Sequence, residues 1–405
     1  MKSIDHRMMR WLLLLASVLL LNACSDDAPS DQDKELVQLE LKPYASSYIV
    51  ESDSAVTRAG DTWEPPSTYV TYDHINSLFE NQKNLMGKSI KVFFTQDNAD
   101  PLERTFSYRN GYNGSEGSWQ LMEVPTDHYF LYGFIPKEDA ASAIITPNGS
   151  YSNGAVLTIE GLNTVTPSDV CVLIGAKDGP SSISDGPEGD RLRPGYFETQ
   201  IKAENNYIYL LFDHLYASLR FNFKVDPTYA ALRTIRLRKL ELVAYKDGQQ
   251  TSVSAKFNAE ITLLANNTGS SPIVGSVRFT PVTSSASVPP VTLFEWDGTV
   301  ANEVTLSTTT PTSFMGCFVP GDNTYFKLRS TYDVYDNNTT TAHPEGNLVR
   351  QGCQAENTID LRKWFGNDLT TTRGHSYSLT LTVQPTYLYV LSDPDLDNPT
   401  LKISI

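Results

Sequence analysis

Helical periodicity, paired metal-ligating residues and runs of basic charge are all scarce in this chain of 405 residues, and each scarcity removes a class of function. Six histidines stand at His6, His74, His128, His214, His343 and His375, none at ligand spacing from another or from a cysteine, so no zinc motif can be read. His214, in Phe212-Asp213-His214-Leu215, reads as a structural residue at a strand entrance. The sequence has no Gly-x-Ser-x-Gly, phosphate loop or dinucleotide fingerprint. Neither an enzyme nor a cofactor or metal site is expected. Asp393, Asp395 and Asp397 are spaced like the start of a calcium loop, but Asn398 replaces the glycine at the sixth position and Ser404 the glutamate at the twelfth. That stretch reads as a solvated turn. Cysteines number four, at Cys24, Cys171, Cys317 and Cys353, too few for a disulfide framework. With Cys24 engaged elsewhere, at most one disulfide forms among the rest: Cys317 pairs with Cys353, or all three are buried thiols. Acidic residues outnumber basic ones, 47 to 32, for a net charge of −15, and no basic run is interleaved with aromatics, which excludes nucleic acid as a partner. The densest basic stretch, Arg233, Arg236, Arg238 and Lys239, alternates with Ile235 and Leu237 as the wet side of a strand does.

What is present begins with residues 1–23. Lys2, Arg7 and Arg10 precede an apolar block from Trp11 to Leu21, a basic and apolar order that marks a secretory signal too short to remain as a spanning helix. The segment Leu21-Asn22-Ala23-Cys24 resembles a bacterial lipobox, departing from it at Asn22, and the resemblance implies that Cys24 is acylated and becomes the mature N-terminus. Loss of Lys2, Arg7, Arg10 and Asp5 with the signal takes the net charge from −15 to −17. Residues 24–35 are polar and mostly acidic and read as a solvated tether. They resemble the acidic export patch of surface lipoproteins in Bacteroidota.

Beyond the tether the pattern is all-β. The clearest strand spans 215–225, where Leu215, Ala217, Leu219, Phe221, Phe223 and Val225 alternate with Tyr216, Ser218, Arg220, Asn222 and Lys224. One helix is expected, over 69–84, from Tyr72, Ile75, Leu78 and Phe79. A Gly/Pro/Ser-rich loop over 177–205 sets the expected boundary between an N-terminal β-sandwich (36–205) and a C-terminal one (206–405). Tyr108, Tyr112 and Trp119 flank a polar turn, as sugar-stacking aromatics or as half-buried sandwich residues.

Several segments together resemble the fimbrillin superfamily, the lipoprotein-derived pilus subunits of Bacteroidota. They are the lipobox at Cys24, Thr57-Arg58-Ala59, Tyr132-Gly-Phe-Ile-Pro136, Asp169-Val-Cys-Val-Leu-Ile-Gly-Ala176, Phe212-Asp-His214 and Arg373-Gly-His-Ser-Tyr377. The resemblance implies two tandem transthyretin-like sandwiches, a lipid anchor in the outer membrane, surface exposure, and maturation by cleavage between Arg58 and Ala59 that removes the first strand. The residues fit that scheme. Val37, Leu39 and Leu41 share one strand face and can complete a sandwich, and the polar stretch 51–60 after them offers Arg58 to a protease. Loss of that strand leaves unpaired backbone groups beside an apolar slot, to be filled by another subunit through β-strand addition. Leu401, Ile403 and Ile405 repeat the alternation as a candidate donor strand. The expected function is a fimbrial subunit in adhesion, with other subunits, the membrane and host or bacterial surface ligands as partners. The alternatives are an uncleaved fimbrial anchor or a tethered glycan-binding lipoprotein.

Overall fold

The computed structural model describes residues 34–46, 48–51, 69–71, 87–109, 117–180, 192, 194–204, 206–245, 254–265, 274–282, 288–338, 346–387 and 394–404. Among these the chain is nearly all strand. Its first half contains β1 (Leu36–Ser46), β2 (Ile49–Glu51), β3 (Tyr69–Thr71), β4 (Ser89–Gln96), β5 (Ala99–Arg109), β6 (Ser118–Trp119), β7 (Met122–Pro125), β8 (His128–Ile135), β9 (Ser142–Asn148), β10 (Ser150–Asn163), β11 (Val165–Thr166), β12 (Cys171–Gly179), β13 (Glu198–Gln200) and β14 (Tyr207–His214). There follow β15 (Ala217–Val225), β16 (Arg233–Tyr245), β17 (Lys256–Leu264), β18 (Val274–Pro281), β19 (Val291–Glu295), β20 (Val304–Thr305), β21 (Thr312–Phe318), β22 (Tyr325–Asp336), β23 (Leu348–Asp360), β24 (His375–Tyr387) and β25 (Pro394–Ser404).

These strands form four sheets. A ten-stranded sheet runs β3-β1-β14-β12-β8-β4-β5-β6, with β13 on β8 and β7 on β1, and a four-stranded sheet runs β18-β17-β10-β9. A six-stranded sheet runs β11-β21-β15-β24-β2 with β25 on β24, and a five-stranded sheet runs β19-β16-β22-β23 with β20 on β16. Pairing is antiparallel except at β1–β14, β15–β24 and β2–β24.

The ten-stranded sheet is covered on both faces. Val92, Phe94, Leu131, Leu173, Leu210 and Phe212 enter one core, whereas Phe93, Tyr132, Phe134, Val172, Ile174 and Leu211 enter another, shared with Leu157 and Ile261 of the four-stranded sheet. Double coverage accounts for unbroken apolar runs such as Cys171-Val-Leu-Ile174, since a strand wet on neither face gains nothing from a polar residue at every second position. Between the six- and five-stranded sheets lies the third core, with Phe221, Leu379, Leu237 and Leu328. There β15 keeps the expected alternation from Leu219 onward: Leu219, Phe221, Phe223 and Val225 are buried and Arg220, Asn222 and Lys224 are half-buried, whereas Tyr216 and Ser218, expected on the wet face, are buried and the strand begins at Ala217.

Close backbone approach fixes one glycine. A Cβ added at Gly133 on β8 would stand 2.2 Å from the carbonyl oxygen of Lys91 on β4, and rigid backbone offers no side chain that can swing aside. Gly133→Ala should lower stability by about 1–3 kcal/mol, as overpacking of a filled interior does. A urea midpoint equal to that of the parent would contradict this.

The structure corrects four expectations. The sheets do not divide at residue 205: β14 is an inner strand of the ten-stranded sheet, and the chain leaves that sheet between His214 and Ala217. Residues 256–281, expected in the C-terminal sandwich, return to pair with β10. Loop composition marked a chain break, whereas the completion of a doubly buried sheet decided which strands belong together. Tyr69–Thr71, expected to open a helix, is a strand on the edge of β1, and residues 72–84 lie outside the described residues. Residues 177–179 and 198–200 of the expected loop are strand. Finally, the expected turn at 393–398 lies largely within β25, where Asp397 Oδ1 accepts hydrogen bonds from Arg233 Nε and Nη2 at 3.1 and 2.9 Å.

Candidate functional site

The residues expected to leave on maturation are woven into both halves of the molecule. Along its first half β1 runs antiparallel to β7, with Val37 opposite Val124; along its second half it runs parallel to β14, with Leu41 opposite Ile208. Val37, Leu39 and Leu41 are all buried in the core shared with Leu210 and Phe212. Two residues past its end the chain crosses to the six-stranded sheet, where β2 lies parallel on β24 with Ile49 opposite His375. Ile49 N donates to Gly374 O at 2.9 Å.

The crossing is clamped by side chains. Tyr48 is buried and stacks on His214, ring centroids 3.7 Å apart and planes 17° apart, and its hydroxyl lies 3.6 Å from Cys317 Sγ. Glu51 Oε1 meets His375 Nδ1 at 2.6 Å. Beneath Tyr48, His214 Nδ1 lies 2.7 Å from Asp169 Oδ2 and 3.6 Å from Cys171 Sγ, all three residues being buried. On the other side, Arg373 Nη1 donates to Asp213 Oδ2 at 2.7 Å and to His214 O at 3.0 Å, tying β24's leading loop to the end of β14. Burial, with Asp169 adding to it, holds the Tyr48 hydroxyl and the Cys171 and Cys317 thiols well above their usual pKa. Protonated, buried thiols are poor nucleophiles. Both Asp169 and Cys171 approach the same ring nitrogen of His214, so the imidazole cannot relay a proton from thiol to carboxylate as a nucleophilic triad requires.

Strand pairing assembles this cluster. Asp169 and Cys171 are two residues apart and share a face, and Cys171 is the register partner of His214 across β12 and β14. Sequence reading placed His214 at the entrance of the strand that follows, whereas it ends β14; its partners were missed because cross-strand register between residues 43 positions apart has no local signal. The Asp-x-Cys spacing was the one available hint.

Other candidates are dispersed. Leu401 and Ile403 lie on β25, paired with Val383 and Leu381 of the same chain. Thus the candidate donor strand occupies its own sheet, on the edge of β24 that β2 shares further along. Cys24, Arg58, Ala59 and Ile405 lie outside the described residues. Cys317 and Cys353 are unbonded and buried, which excludes the disulfide between them: Cys317 faces Tyr48, while Cys353 Sγ contacts Asp397 O at 3.5 Å. Tyr108 and Trp119 meet edge to face at 5.2 Å inside a core and offer no face to a sugar, and Tyr112 lies outside the described residues. The basic stretch is neutralised by Arg238–Asp333, Arg238–Glu303, Arg236–Glu303, Arg233–Asp397 and Lys239–Glu241 pairs, leaving no anion site. No described helix is long and apolar enough to cross a membrane.

No family model and no curated protein matches the sequence. Solved structures do. A cell adhesion candidate from Bacteroides fragilis is 14% identical over 90% of this chain and 97% of that one, with a TM-score of 0.36. A fimbrial protein from Bacteroides vulgatus is 10% identical over 91% and 98%, with a TM-score of 0.28. The tip fimbrial protein Mfa3 from Porphyromonas gingivalis, truncated at its C-terminus, is 14% identical over 91% and 98%, with a TM-score of 0.24.

Proposed function

We propose that the protein is a surface-exposed subunit of a fimbrial adhesion fibre, anchored at first in the outer membrane through lipid on Cys24 and assembled by strand exchange once the chain is cut after Arg58. One observation carries this reading: β1 and β2, both N-terminal to Arg58, occupy ladder positions in two different sheets. Their removal opens the edge of β14 at Tyr207–Phe212 and the edge of β24 at His375–Tyr377, beside the slot that Val37, Leu39 and Leu41 fill. Unpaired edges next to an apolar slot are what an incoming strand of a second subunit satisfies. β1 pairs with β7 over residues 36–39, with β14 over 40–45 and with the short β3 over 44–46, so each part of it fills a ladder position that its loss would leave open.

The N-terminus of protein isolated from its native cells tests the reading. A subunit in fibres should begin at Ala59, and the precursor at an acylated Cys24. Cys24→Ser should move the precursor from the membrane to the soluble fraction. A native fibre-free protein that keeps residues 24–58 would instead make it an uncleaved anchor, and an unlipidated wild-type terminus would remove the lipoprotein step. The tethered glycan-binding alternative loses its platform with the burial of Tyr108 and Trp119.

A further inference from the structure

We propose that Asp169 Oδ2, Cys171 Sγ and His214 Nδ1 form a binding site for one divalent ion of the zinc class, sealed by the ring of Tyr48. All three ligand atoms lie within 4.8 Å of one another, and all three residues are buried. Zinc bonds of about 2.0–2.3 Å in tetrahedral arrangement place neighbouring ligand atoms roughly 3.3–3.7 Å apart. The Cys171–His214 separation of 3.6 Å already meets that span, and the Asp169–His214 separation of 2.7 Å opens by about half an ångström when a metal replaces the shared proton. Convergence of two donors on a single imidazole nitrogen is the second reason. In the metal-free cluster the Asp169 carboxylate serves both the imidazole and the Cys171 thiol, whereas an ion at the centroid engages all three donors directly.

The donor set selects the ion. Thiolate, imidazole and carboxylate together suit zinc or cobalt and disfavour calcium and magnesium, which take oxygen ligands. Binding forms the metal–sulfur bond as the Cys171 thiol proton leaves to solvent; no oxidant or reductant takes part. The ligands are preset by the ladder between β12 and β14, and the Tyr48 ring excludes water from the imidazole face. The inference concerns the uncleaved chain: a cut after Arg58 would remove the Tyr48 seal but none of the three ligands.

The test uses the full chain, produced with zinc supplementation, dialysed, and analysed for bound metal; a parallel sample is loaded with Co2+. Expected are roughly one equivalent of metal per chain and a thiolate-to-cobalt charge-transfer band in the near ultraviolet. Cys171→Ser should abolish the band, Asp169→Asn should weaken zinc at least about tenfold, as loss of one ligand does, and circular dichroism should show both variants folded. Tyr48→Ala removes the seal without touching a ligand and should load faster. Metal-free protein from both the wild type and Tyr48→Ala under these conditions overturns the proposal. So does a cobalt band that survives Cys171→Ser.

Discussion

Phe221→Ala should lower the stability of the folded chain by about 3–5 kcal/mol, the cost of truncating a buried phenylalanine in a core that closes only partly over the cavity. Phe221 is fully buried on β15, a strand bonded on both sides, with Phe314 of β21 opposite it on one flank and Leu379 of β24 on the other. The core around it also receives Leu237 and Leu328 from the facing sheet. Arg220, the next residue along, is half-buried on the opposite face of the same strand. Arg220→Ala should therefore cost less than about 1 kcal/mol, in the range of surface substitutions. Urea titration checks both, with the midpoint moving and the slope unchanged if only native stability is altered. Equal losses from the two variants would mean that the faces of β15 are assigned the wrong way round.

The contrast between Phe221 and Arg220 was legible in the sequence because, from Leu219 to Val225, β15 is fully buried on one face only. Period-two alternation survives from Leu219 to Val225 and identified the inward residues there, while Ser218, expected outward, is buried. β12 and β14 gave no such contrast. Buried on both faces, they read as apolar runs whose existence as strands is plain but whose neighbours are not. The same ambiguity hid the return of β17 and β18 to the N-terminal sandwich, since alternation states that a strand has a wet face and a dry face without stating which core the dry face joins. At the junction the sequence supplied single residues, His214 and Cys171, and the fold supplied their meeting. Tyr48 carried no signal at all. It lies in the short crossing between β1 and β2, and its burial follows from a change of sheet that no pattern within residues 46–49 foretells.

Arg58→Ala should abolish fibre formation while leaving the precursor as stable as before. The reason lies in how β1 is held. Three buried aliphatic side chains, at roughly 1.5–3 kcal/mol each, and a six-residue parallel ladder with β14 fix it in place. As long as the chain is continuous from β1 onward, the strand is presented to its own slot at an effective concentration that a second subunit does not match, so a displaced β1 returns before a donor enters. Under the proposed scheme, cleavage would turn that return into a bimolecular event. The released segment then dilutes, and a donor strand competes on equal terms for the same slot. Leu401, Ile403 and Ile405 match the spacing of Val37, Leu39 and Leu41, but Leu401 and Ile403 are engaged with Val383 and Leu381 in cis. On the proposed scheme, donation would have two thresholds: loss of β1 from the acceptor and detachment of β25 from the donor's own β24. Trypsin-like cleavage of the wild type should yield a polymer ladder that persists in mild denaturant, and Arg58→Ala should yield monomer under identical treatment. A synthetic peptide of residues 394–405 added during cleavage should shorten the ladder by occupying vacated slots. Deletion of residues 401–405 should leave cleaved protein monomeric, with circular dichroism showing that the remaining sheets persist. Polymers formed by the Arg58→Ala chain, or by the deletion, would mean that subunits join through another edge.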